Sequence, residues 1–161
     1  MKQSINELAT SLDIPVTWLE QSTPEGVEID SGKAHAFLDA LHRTEGLYFD
    51  FLSCLTGLDN GPEAATMEVI YHLASVPYNY QLAVKVTVDR ENPEVDSVSD
   101  IWKSANWHER EAYDLLGIRF RNHPDLRRIL LPADWEGFPL RKDYREQEKY
   151  HGIHVAYDNG E

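Results

Sequence analysis

The sequence predicts an α+β fold of two layers, with helices packed on one face of a mixed, largely antiparallel sheet and an extended C-terminal arm beyond it. Three observations carry that expectation. Two early stretches space their apolar residues as helices do, and the middle of the chain alternates apolar and polar with period two. The last third is apolar and aromatic, yet Pro124, Pro132 and Pro139 forbid any long regular element in it. A chain of 161 residues is one domain's worth of material, able to bury roughly 70% of the surface its unfolded form exposes. The expected division is an α+β domain over residues 1–121 and a partner-binding arm and tail over 122–161.

The elements follow in order. Ser4-Ile5-Asn6-Glu7 reads as a capping box, and Ile5, Leu8, Ala9 and Leu12 form a helical stripe that stops before Pro15. Val27 to Asp30 alternates as a short strand, after which Asp30 or Ser31 caps a helix with Ala34, Phe37, Leu38 and Leu41 on its apolar face and Gly46 as its stop. Tyr48–Leu58, Met67–Ala74 and Tyr80–Asp89 read as three strands of an antiparallel meander, with Asn60-Gly61 in the first turn. Asp89 to Val95 reads as a turn. Asn106 is placed to cap a helix from Trp107 to Leu116 closed by Gly117, with Glu109 and Glu111 in its first turn and an Arg110–Asp114 pair along one side. Ile118–Arg121 fits a short two-faced strand.

Charge is divided unevenly along the chain. The formal net charge is −13, which argues against a nucleic-acid surface or a basic membrane-binding face. Residues 1–100 hold 5 basic and 17 acidic side chains, whereas residues 119–145 hold 7 basic and 4 acidic ones. Six of the nine arginines (Arg119, Arg121, Arg127, Arg128, Arg141, Arg145) fall there, among Phe120, Trp135, Phe138 and Tyr144. Arginine with large aromatics is the composition of an interface core. An acidic partner would suit such an arm, and so would the chain's own acidic domain.

Chemical motifs are scarce. Cys54 is the sole cysteine, so this chain by itself makes no disulfide, iron–sulfur or Cys-ligated zinc site, in keeping with a reducing compartment. The N-terminus has no signal or transit pattern, and no apolar run approaches the roughly 18 residues of a membrane span. His108-Glu109 lacks the second His that a zinc-protease helix needs, because position 112 is Ala. His151 and His154 have no third ligand nearby, and no Gly-rich nucleotide loop exists. A general acid–base role for Glu109, Glu111 and Asp114 is the one catalytic alternative, against structural ion pairing as the more common use.

From Ala105 to Tyr144 the chain resembles the C subunit of the proton-translocating NADH:quinone oxidoreductase, respiratory complex I. The resemblance lies in ANWHEREAYDLLGIRF, HPDLRRILLP and DWEGFPLRKDY. It places Glu109, Arg110, Glu111, Asp114 and Gly117 in a signature, ion-paired helix. His123, Pro124, Asp125, Arg127, Arg128, Trp135, Arg141, Lys142, Asp143 and Tyr144 then form the surface toward partner subunits. Phe138 stands where many members carry His, and His108 where an aromatic is frequent. The resemblance implies a scaffold without catalytic, cofactor or metal residues of its own, in a complex that uses FMN, iron–sulfur clusters, NADH and quinone. Its implied partners are the quinone-site (D) subunit and the iron–sulfur (B and I) subunits, on the cytoplasmic side of a bacterial inner membrane. The equivalent subunit of a membrane-bound hydrogenase or of the photosynthetic complex-I-like enzyme shares the pattern. Arg127 and Arg128 are expected to pair with charges on the large partner.

Overall fold

In the computed structural model, which describes residues 1–154, a five-stranded sheet carries three helices on one face. The elements run α1 (Lys2–Ser11), β1 (Thr17–Leu19), β2 (Gly26–Ile29), a short 3-10 turn (Ser31–Lys33), α2 (Ala34–Arg43), β3 (Phe51–Asp59), β4 (Thr66–Ser75) and β5 (Tyr80–Asp89). They continue as β6 (Glu94–Asp96), α3 (Ala105–Leu116), β7 (Arg119–Arg121), β8 (Lys149–Tyr150) and β9 (Ile153–His154). The sheet order is β1-β2-β5-β4-β3, all antiparallel except that β2 runs parallel to β5. The mixed, largely antiparallel sheet with one helical layer is therefore present.

Alternation decides which face is covered. Met67, Val69, Tyr71 and Leu73 of β4, with Leu82, Val84, Val86 and Val88 of β5, are buried against Ile5, Ala9, Phe37, Leu38 and Leu41 of the first two helices. The other face is a polar ladder: Lys85 bridges Glu28 at 3.1 Å and Glu68 at 3.5 Å, and Thr87 donates to Glu28 at 2.8 Å. Charges bridged across strands keep that face wet.

Several local expectations are corrected. α1 begins at Lys2, with Met1 as its cap and no side-chain cap bond, so Ser4 and Glu7 lie inside the helix and the capping box does not form. Asp30 does cap, accepting from the Gly32 N–H at 2.9 Å, though on the 3-10 turn that leads into α2. α2 stops at an extended Thr44, and Gly46, at φ 84°, serves the reversal after it. β3 starts at Phe51, because the Phe49 N–H is committed to the Leu41 carbonyl and Asp50 accepts from the Val76 N–H. β1 and β6 lie where the sequence reads as loop and turn; three residues each are too few for alternation, and pairing with β2 and with β7 makes them strands.

α3 also differs from its expected form. It starts at Ala105 behind Ser104, which makes no side-chain cap bond, so Asn106 is not the cap and no acidic residue lies in the first turn. Gly117 closes it as expected, left-handed at φ 78°, its N–H on the Tyr113 carbonyl. The helix packs on β3 at Gly57, where an added Cβ would lie 2.6 Å from Leu116 Cδ1 and 3.0 Å from Ile118 Cδ1. Gly57→Val therefore forces α3 off the sheet and should cost about 1–3 kcal/mol. Urea unfolding checks it, and an unchanged midpoint would show that the seam yields.

Candidate partner-binding arm

Residues 122–144 contain no helix or strand, so their backbone groups need side-chain partners. Asp114 supplies three of them. Fully buried on α3, it accepts from the backbone N–H groups of Ile129 (2.9 Å), Leu130 (2.7 Å) and Leu131 (3.0 Å) through one oxygen, and from Arg128 Nη1 (2.9 Å) through the other. Burial alone would raise this carboxyl's pKa; the three N–H groups and the guanidinium outweigh it and hold the group below its ordinary value.

Arg128 correspondingly uses both of its Nη atoms. Besides the Asp114 carboxylate it donates to the carbonyls of Asp114, Trp135 and Gly137, and its guanidinium lies 5.2 Å from the Phe138 ring centroid. The expectation that Arg128 finds its charge partner on another subunit is thus corrected: that partner is Asp114 of its own chain. The expected Arg110–Asp114 pair is absent too. Arg110 instead donates to the Arg127 carbonyl at 3.2 Å and stacks on Trp107 at 5.0 Å. Arg127 pairs with Asp125 at 3.0 Å, both exposed.

Two guanidinium groups lie over the Phe138 ring, Arg128 at 5.2 Å and Arg141 at 4.9 Å from its centroid. A cation over an aromatic face is worth about 0.5–2 kcal/mol. The ring also presses on Gly117, where a Cβ would meet Phe138 at 2.7 Å, so glycine is required there both for its positive φ and for this approach. Arg141 donates to the Leu116 carbonyl at 2.8 Å, and the Leu140 N–H to that of Leu115 at 3.0 Å. The open C-terminal carbonyls of α3 are thereby satisfied by the arm.

A second clasp fixes the arm's far end. Arg90 and Asp59, both buried, form a two-bond pair at 2.8 and 3.0 Å. Asp59 also accepts from the Lys142 N–H at 2.8 Å, and Arg90 donates to Asp143. The guanidinium holds the Asp59 carboxyl far below the usual carboxylate range. Trp135 Nε1 donates to the Tyr144 hydroxyl at 3.2 Å. The sequence pattern singles out neither Asp59 nor Arg90: one opens a turn, the other ends a strand, and only the fold joins them.

Glu109 and His123 meet under the root of the arm. Glu109 accepts from the Ser97 hydroxyl at 2.6 Å and the Val98 N–H at 2.7 Å, with His123 Nε2 3.8 Å away. His123 Nδ1 accepts from the Asp125 N–H at 3.0 Å, which leaves Nε2 to donate to the Asn106 carbonyl at 3.2 Å. Burial pushes the Glu109 carboxyl up to about 7, against the lowering effect of the Ser97 and Val98 donors. Glu111 is exposed and faces a groove that neither Glu109 nor Asp114 lines, so the three carboxylates do not converge on one substrate position. Pro124 and Lys142 are exposed.

Among the described residues no group of three His, Cys, Asp or Glu side chains is placed to hold a metal ion, and no helix is long and apolar enough to cross a membrane. His151 pairs with Asp134 at 2.8 Å. Of the exposed large apolar side chains, three belong to α3 and residues 122–144: Trp107 is 63% exposed, Leu130 61% and Leu140 59%.

Over residues 27–150 the chain matches a family described as the respiratory-chain NADH dehydrogenase 30 Kd subunit. It is 48% identical over 130 residues to the NADH-quinone oxidoreductase C subunit of Chloroherpeton thalassium, covering 80% of this chain and 52% of that protein. The chain thus spans about half the length of that relative. To the NADH-quinone oxidoreductase C/D subunit of Phocaeicola vulgatus it is 48% identical over 123 residues, 76% of this chain and 23% of the longer one. A solved trypsin-resistant fragment of Nqo5 superposes with a TM-score of 0.58 at 29% identity, covering 78% of this chain and 98% of the fragment.

Two outcomes test the arm's attachments. Arg128→Ala leaves Asp114 buried and without its charge partner among the described residues, and should cost about 3–5 kcal/mol in urea unfolding; a loss below about 0.5 kcal/mol, the scale of a surface pair, would contradict it. Glu109, raised from 4.5 to about 7, binds its proton more tightly folded than unfolded. Stability relative to Glu109→Gln should therefore fall as pH rises from about 4.5 to 7, by about 3 kcal/mol in all. Parallel stability profiles for the two proteins between about pH 4 and 8 would remove this assignment.

Proposed function

Because this chain belongs to the family of the respiratory-chain NADH dehydrogenase 30 Kd subunit, we propose that it is a scaffold subunit of NADH–quinone oxidoreductase. It binds no redox centre itself and holds neighbours that carry electrons from NADH through FMN and iron–sulfur clusters to quinone, coupled to proton translocation. The isolated chain has no activity. Its partners are the quinone-site (D) subunit and the iron–sulfur (B and I) subunits, and it sits peripherally on the cytoplasmic side of a bacterial inner membrane.

One observation carries this reading: an arm pinned at both ends to its own domain, with Trp107, Arg127, Leu130 and Leu140 turned outward beside it. Ordered, exposed aromatic, aliphatic and arginine side chains are the anchors of a protein interface. The fused C/D relative supports the quinone-site polypeptide as the neighbour, since that protein carries both letters in one chain. The inner residues of the arm, Asp114, Arg128, Trp135, Arg141, Asp143 and Tyr144, hold the outer ones in place.

Affinity purification of the tagged chain from its native membrane should recover the quinone-site subunit and both iron–sulfur subunits. Leu130→Asp should lower that recovery about tenfold or more, the scale of losing a hot spot, while leaving the thermal unfolding of the chain unchanged. Substrate turnover by the purified chain alone, lost in Glu111→Gln, would replace the scaffold by a hydrolase.

A further inference from the structure

β3 is an outer strand of the sheet, paired only with β4. Along its other side runs a groove of about 250 Å³ bordered by Cys54, Leu55, Thr56 and Gly57. Successive strand residues point to opposite faces, so a hollow lined by four in a row faces the edge itself, where backbone N–H and C=O groups project. Among the described residues, the backbone bonds of residues 53–58 run to β4 alone. The facing wall is α3, through Glu111 and Leu115, and Leu140 of the arm lies at the groove as well.

Free edges are ordinarily blunted by Lys, Pro or an overlying element. β3, FLSCLTGLD, contains neither Lys nor Pro, and its one register shift against β4, between Leu52 and Cys54, lies ahead of Leu55–Gly57. Glu111, exposed in the groove, has no cation within ion-pair distance among the described residues. Leu140 is 59% exposed and Leu58 44%. The groove thus offers backbone hydrogen bonds, the Glu111 carboxylate with the His108 ring beside it on α3, and apolar contacts.

We propose that an extended segment of a partner subunit lies along the outer edge of β3 and adds a strand to the sheet. It places a Lys or Arg opposite Glu111 and an apolar side chain between Leu115 and Leu140. Strand addition takes affinity from main-chain bonds and specificity from alternate side chains. Charge complementarity selects the occupant: residues 1–100 hold 17 acidic and 5 basic side chains, so a basic strand is attracted. A second copy pairing through its own β3 does not fit, since that strand has no cation to set against Glu111.

That the partner is a subunit of the same assembly rests on the proposed function, and the test separates the two. Cys54, the sole cysteine, borders the groove and serves as a probe. In the purified assembly its alkylation should slow about tenfold relative to the isolated chain, and amide exchange over residues 53–58 should slow about a hundredfold. Glu111→Lys should lower recovery of the partner about tenfold without shifting the chain's thermal unfolding. An assembly that forms with Cys54 and the β3 amides as reactive as in the free chain overturns the groove inference and leaves the scaffold reading standing. Absence of any copurifying subunit overturns both. Concentration-dependent protection of Cys54 in the isolated chain would mean a second copy sits there, and overturns the inference too.

Discussion

A buried carboxylate needs donors, and a stretch of backbone without a ladder needs acceptors; Asp114 and the segment Arg128–Leu131 answer each other. Three consecutive N–H groups converging on one oxygen can occur only where the chain curls around that atom. The path of the arm at its root is therefore dictated by a single side chain of α3. Everything after it inherits that position: Arg128 then reaches the Trp135 and Gly137 carbonyls, and its guanidinium fixes Phe138 over Gly117.

The second clasp works by the same logic at the other end. Arg90 and Asp59 are buried together at the end of β5 and of β3, and a buried pair is costly unless its remaining hydrogen-bonding capacity is filled. Asp59 fills its own with the Gly61 and Lys142 N–H groups, and Arg90 with Asp143. Arm residues thus complete a polar site that the sheet leaves unfinished. The excess of base in residues 119–145 over an acidic domain is accounted for locally in part, because Arg128 and Arg141 turn inward, while Arg119, Arg121 and Arg127 stay exposed.

How far the sequence can be read follows from the range of the forces involved. β4 and β5 are legible because period-two alternation over ten residues reports a one-sided sheet without reference to anything else. α2 is legible from its stripe of Ala34, Phe37, Leu38 and Leu41. The arm is legible as ordered but irregular, since leucine and tryptophan with three prolines admit little else. The pairing of its charges is not legible. Arg110 four residues before Asp114 looks like a helix pair, yet Arg128 wins because it also satisfies three carbonyls, which a residue on the same helix cannot reach. Glu109 reads as a first-turn carboxylate and is a buried one, since Ser97 and Val98 come to it from a loop whose position depends on the β6–β7 pairing. Asp59 and Arg90 lie 31 residues apart and meet only once β3, β4 and β5 are in register.

An irregular segment held by charged side chains differs mechanically from one held by a strand ladder. Each ladder bond constrains its neighbours, so a ladder frays gradually from its end. Here the restraint is concentrated in side chains: Asp114 and Asp59 hold the two ends, and between them Arg128 and Arg141 tie the arm to its own carbonyls and to the end of α3. Trp107, Leu130 and Leu140 are left exposed beside the clasps, at Arg110, at the Asp114 site and at the end of α3. The backbone that carries Leu130 and Leu140 is therefore held in place, although no core encloses their side chains. An exposed apolar residue on a mobile loop would lose conformational entropy when covered; these have little left to lose, which is the condition under which a small apolar patch can bind with useful affinity.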